Sequence, residues 1–168
     1  VNDADATAIT ASELAAIGGA TTGTVTVTNA IAITGDHDQL TAALVTAGTK
    51  VEVSDVAVTF NDADATAITA SELAAIGGKT TGTVTVTNAL AVTGDHDQLT
   101  AALVTASTKV VVSDATVTIN DIDATAITAT ELAAIGGATT GTVTVTNAVA
   151  ISGTTAEMIA ALVTASTK

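Results

Sequence analysis

The chain repeats itself: Asn2, Asn61 and Asn120 open the same passage three times, 59 residues apart. Residues 2–60 and 61–119 differ at eight places, among them Ala20/Lys79, Glu52/Val111 and Phe60/Ile119, and a shortened third copy occupies residues 120–168. A period of this size reads as an array of small supersecondary units, each of which buries its apolar face only against a neighbour.

Each unit holds a weaker internal repetition. "ITASELAAIGGATTGTVTVTN" (residues 9–29) parallels "ITGDHDQLTAALVTAGTKVEVSD" (residues 33–55). Both read as a short strand, a capped helix, a glycine-marked exit and an alternating strand. Thr10 with Glu13 forms a capping box, repeated at Thr69/Glu72 and Thr128/Glu131, and Asp36 with Gln39 forms another. Leu14 and Ile17 share one helix face, as do Leu40 and Leu44. Gly18-Gly19 and Gly48 are expected to end their helices in the left-handed conformation. Val25/Val27 and Val51/Val53 alternate with polar residues at period two, valines inward.

Strand, helix and strand in one sense require parallel strands, and such crossovers are right-handed. The expected fold is a right-handed α/β solenoid of about six coils, with one short helix per coil and Val and Ile ladders ~4.8 Å apart. It forms a single domain, 1–168, built of units 2–60, 61–119 and a truncated 120–168. The extra "TFNDADA" lies in the longer coil of each unit, between Val51 and Val84.

Composition narrows the function. Apolar residues make up 48%, yet Phe60 is the only aromatic, so Ala, Val, Ile and Leu build the core. The absence of Cys excludes disulfides and thiolate metal sites. A net charge of −13 argues against a nucleic-acid surface and against anionic membranes, and no run approaches the ~18 apolar residues of a membrane span.

Near-identical acidic units rich in Thr, Ala and Val, with "ITASELAAI" and "TGTVTVTNA" in tandem, resemble the repeat arrays of very large bacterial surface or secreted proteins, including cyanobacterial giant proteins and adhesins. The resemblance implies an extracellular or cell-surface location and a structural or adhesive role, often with calcium nearby. The calcium nonapeptide of the RTX family is absent, so its ligands carry over to no residue here. A consensus-style designed repeat would look similar.

Two constellations invite a metal. Asp36-His37-Asp38 and Asp95-His96-Asp97 place carboxylates beside an imidazole, but the third copy has Thr154-Thr155-Ala156-Glu157 there, which keeps only the helix cap. Asn61, Asp62 and Asp64, with Asn120, Asp121 and Asp123, recur in every copy (Asn2, Asp3 and Asp5 in the first) and supply the hard oxygens Ca²⁺ takes; Asp55 and Asp114 could add one each. The alternative for this loop is an Asx turn bonded to its own backbone. Outward Thr of "TVTVT" would suit an ice-binding face, but Lys50, Glu52 and Ser54 are expected to separate the Thr rows. No phosphate loop or nucleophile–base arrangement is present, so no enzyme activity is expected. The expected function is a non-enzymatic spacer, scaffold or adhesive stalk, with a calcium-binding module or an ice-binding solenoid as alternatives. Ends without caps are expected to associate end to end.

Overall fold

The computed structural model describes residues 1–48 and 50–164; the end of the third copy at Lys168 lies outside the described residues. The fold is α/β, with parallel strands in four short sheets and, among the described residues, six helices. The first copy contains β1 (Ala8–Thr10), α1 (Ala11–Gly19), β2 (Val25–Thr26), β3 (Ala32–Gly35), α2 (His37–Leu40, continued by a π-helical turn, Thr41–Val45), β4 (Val51–Glu52) and β5 (Ala57–Phe60). The second contains β6 (Ala67–Thr69), α3 (Ala70–Gly77), β7 (Val84–Val86), β8 (Ala91–Gly94), α4 (His96–Leu103) and β9 (Thr116–Ile119). The third contains β10 (Ala126–Thr128), α5 (Ala129–Gly136), β11 (Val143–Val145), β12 (Ala150–Ser152) and α6 (Thr155–Leu162).

Each helix begins where its sequence says it should. All six carry a complete capping box, with Thr10, Thr69, Thr128 and Thr154 reaching Glu at the third helical position and Asp36 and Asp95 reaching Gln. Such a cap stabilises a helix by about 1 kcal/mol, which matters for segments this short. Leu14, Leu40, Leu73, Leu99 and Leu132 are buried on the inner faces.

The helix ends correct an expectation. Among the described residues no glycine has a positive φ; Gly18 and Gly19 lie inside α1, and the left-handed residue near the second exit is Lys50, at φ 50°. Gly77, inside α3, is needed for proximity instead. A Cβ there would stand 2.9 Å from the carbonyl carbon of Thr108 and nearer still to its oxygen.

The sheets also differ from the continuous ladders expected. Their orders are β1-β3-β5-β7, β6-β8-β9-β11, β10-β12 and β2-β4. Val25 does pair with Val51, but Val84 lies beside Val58 rather than Val51. The reason is the segment just before Asn61. "AVTF" extends as β5 and takes the place between β3 and β7, so the strand row begun at β1 runs through it. β9 does the same between β8 and β11. Rows therefore begin with the strand before a helix in one copy and finish with the strand after a helix in the next.

Inside these rows Ile33, Val58, Val84, Val92 and Val117 are buried and join one apolar cluster reaching from Ala11 to Ala161, with Phe60 fully enclosed. Burial of the inner helix faces declines toward the two ends. Ile17 is 43% exposed where its counterparts Ile76 and Ile135 are fully buried, and Leu162 is 52% exposed where Leu44 and Leu103 are covered.

Candidate functional site

The Asn-Asp-x-Asp loops are turned by Ala65 (φ 61°) and Ala124 (φ 65°), left-handed residues whose amides donate to the carbonyls of Ala89 and Ala148. Asp64 Oδ1 accepts from the amide of Ala89 at 3.1 Å, and Asp123 Oδ1 from that of Ala148 at 3.0 Å. Asn88 donates its side-chain amide to the carbonyl of Asp62, and Asn147 to that of Asp121 at 2.6 Å. In the first copy Asn29 reaches the carbonyls of Asp3 and Asn2 in the same way, and Asp5 accepts from Ala30. These bonds tie the loop to the turn after the next alternating strand, so the side chains act across the array, beyond the local backbone of an Asx turn.

Asp62 and Asp121 sit deepest, 5% and 6% exposed. Each points back to the helix start of the preceding copy. Asp62 Oδ2 accepts from the backbone amide of His37 at 3.0 Å, while His37 Nδ1 and Asp62 Oδ1 are 2.5 Å apart. His96 and Asp121 repeat this arrangement at 2.9 and 2.6 Å. A carboxylate on the first amides of a helix also meets the positive end of its dipole. Hydrogen bonding to Asp62 raises the pKa of His37 above its usual value; desolvation opposes it, and the charges of Asp62, Asp38 and Glu72 add smaller increases. Asp121, Asp97 and Glu131 do the same for His96.

The structure thus joins two motifs that the sequence leaves separate, the Asp-His-Asp helix start and the Asn-Asp-x-Asp loop. Asn61 and Asn120 contribute backbone amides to the carbonyls of Gly35 and Gly94, their side chains lying at the surface. Asp55 and Asp114 accept from the hydroxyls of their own neighbours Ser54 and Ser113. Among the described residues no three of His, Cys, Asp and Glu gather as a metal-holding group. The pairing left one trace in the sequence: His37 and His96 each stand 25 residues before the first Asp of an Asn-Asp-x-Asp loop, Asp62 and Asp121.

Along the strand rows, threonines align differently from the expectation. Thr10, Thr34, Thr59 and Thr85 are lateral partners in one row, and Thr69, Thr93, Thr118 and Thr144 in another. Among the described residues a charge intervenes in the β2–β4 sheet, where Glu52 stands beside Thr26. Charged strand residues were expected to alternate with Thr throughout; β5 and β9 displace them by bringing Thr59 and Thr118 into the rows. An open cleft of about 390 Å³ lies at the first-copy end, lined by Asp3, Thr7, Ile9, Glu13 and Ile17.

No family model, no curated protein and no solved structure matches this chain. Among the described residues no helix is long and apolar enough to cross a membrane.

Proposed function

We propose that this chain is a structural repeat module, a right-handed α/β solenoid that serves as spacer, scaffold or adhesive stalk in an extracellular protein. One observation carries the reading: polar side chains that could do chemistry are engaged in joining one copy to the next, as Asp62 with His37 and Asp121 with His96. In such an array stability is close to a sum of unit and neighbour terms, and length follows from copy number. The exposed Ile17 at one end and Leu162 at the other belong to faces that are covered within the array, which supports end-to-end association of copies. Nothing in this arrangement calls for catalysis.

A thermal melt in excess EDTA and then in a few millimolar Ca²⁺, at fixed ionic strength, tests the reading. A ligand of the native state raises stability by mass action. The expected result is no shift, because Asp62 and Asp64 already accept protein donors. A rise of several degrees would transfer the proposal to a calcium-dependent module at Asn61, Asp62, Asp64 and Asn120, Asp121, Asp123.

The runs of four neighbouring Thr, the first of which ends where Val111 lies beside Thr85, favour ice binding as a second reading, since threonines ~4.8 Å apart along a regular face make a repetitive surface. The spacer reading expects no gap between melting and freezing points at millimolar protein. A measurable gap that disappears in Thr59→Lys would establish the ice face.

A further inference from the structure

The His–Asp contacts have three properties that a simple cap lacks. They link different copies, they recur with the same atoms, and they gather acid around one imidazole. His37 faces Asp62 from the following loop, Asp38 from its own helix (Nε2 to Oδ1, 3.5 Å) and Glu72 from α3. His96 faces Asp121, Asp97 (3.6 Å) and Glu131 from α5. In a chain of net charge −13 the imidazolium is the cation around which each cluster closes. The third copy, with Thr155 at this place, keeps the cap and loses the ring.

We propose that His37–Asp62 and His96–Asp121 are proton-controlled latches between successive copies, tight while the imidazole is protonated and slack once it is neutral. Deprotonation leaves a neutral N–H donor on Asp62 and removes the charge that offsets Asp38, Asp62 and Glu72. A charge-assisted bond becomes an ordinary one beside uncompensated carboxylates. Because the folded pKa is raised, the latch's stabilisation is complete below the unfolded histidine value, about 6.5, and is lost as pH rises through the folded value. The acid limb is separate. Thr10, Thr69, Thr128 and Thr154 hold their capping glutamates below the usual carboxylate pKa, and that stabilisation disappears as pH falls through the folded values. The array is therefore tightest in a window between these limbs, and alkalinity loosens the joints between copies.

The test uses the intact chain. NMR titration of the two histidine rings is expected to give both midpoints above those of the same chain unfolded in urea. Urea unfolding between pH 6 and pH 9 is expected to weaken the native fold by roughly threefold to tenfold per latch, the difference between a charge-assisted and a neutral hydrogen bond. The double variant His37→Gln/His96→Gln keeps an amide donor without a titrating ring, and its stability should be flat across that range. Ring midpoints equal to or below the unfolded values would overturn the proposal, as would a double variant that retains the native slope. Should the double variant fail to fold, the ring titration of the native chain decides alone.

Discussion

Gly82→Ala is expected to lower the melting temperature by roughly 6–12 °C, the shift that corresponds to about 3 kcal/mol in a chain of this size. Gly82 follows Thr80, whose hydroxyl donates to the carbonyl of Val56 at 2.7 Å and accepts from the Gly82 amide at 2.9 Å. This brings Gly82 directly against the strand beneath. An added Cβ would lie 2.6 Å from the carbonyl oxygen of Asp55 and 2.7 Å from the carbonyl carbon of Val56, and backbone cannot move aside as the tip of a side chain can. The chain contains its own control. Gly23 occupies the same place in the first copy with nothing stacked against it, and a Cβ there meets only Thr21 Oγ1 at 3.7 Å. Gly23→Ala should shift melting by less than about 2 °C. Circular dichroism melts of the two variants separate a stacking requirement from a demand of the loop itself; equal losses would refute close stacking as the cause.

Phe60→Ala is expected to cost about 3–5 kcal/mol, and Phe60→Ile only about 1–2 kcal/mol. Phe60 is fully buried at the end of β5, beside Gly35 on one side and Val86 on the other. Truncation to Ala removes the largest side chain of a core otherwise made of aliphatic residues, and a rigid strand row collapses poorly onto the space left. Ile119 fills the equivalent place between Gly94 and Val145 and is equally enclosed, so the fold already accommodates Ile there. Chemical denaturation followed by circular dichroism measures both changes. A Phe60→Ile loss as large as that of Phe60→Ala would mean that the aromatic ring has a role beyond its volume.

What could be read from the sequence was whatever depends on neighbours along the chain. The capping boxes lie within four residues, and all those expected form. Inward valines follow from alternation: Val27 is buried and Val25, Val51 and Val53 are half-buried, between exposed Thr26, Thr28, Glu52 and Ser54. Harder to read was which strand lies beside which. Val51 and Val84 occupy similar contexts, yet β5 intervenes, because "AVTF" is as good a strand as either and a parallel row accepts the nearest partner of the right length. The Gly18-Gly19 pair suggested a left-handed stop, whereas Gly77 shows that a flat surface under a neighbouring carbonyl is what the place requires. Asp62 looked like a metal ligand or a local turn former because its partner, His37, is 25 residues distant. Spacing alone does not reveal a bond between copies when each half is a plausible motif by itself.

The overlapping strand rows bear on how such a chain can change in length. Each four-stranded sheet takes its members from two adjacent copies, as β1, β3 and β5 join β7, so no copy owns a complete four-stranded sheet. Removing a stretch that begins at any point and spans one full 59-residue period returns every strand to a neighbour of the kind it had before. Removing half a period would set a strand that follows a helix against one that precedes it, bring Gly82-type contacts opposite side chains, and leave a histidine facing no aspartate. Misaligned recombination between the near-identical copies would therefore be tolerated only in whole units, and an array of this design can lengthen or shorten in a population while its joints stay the same.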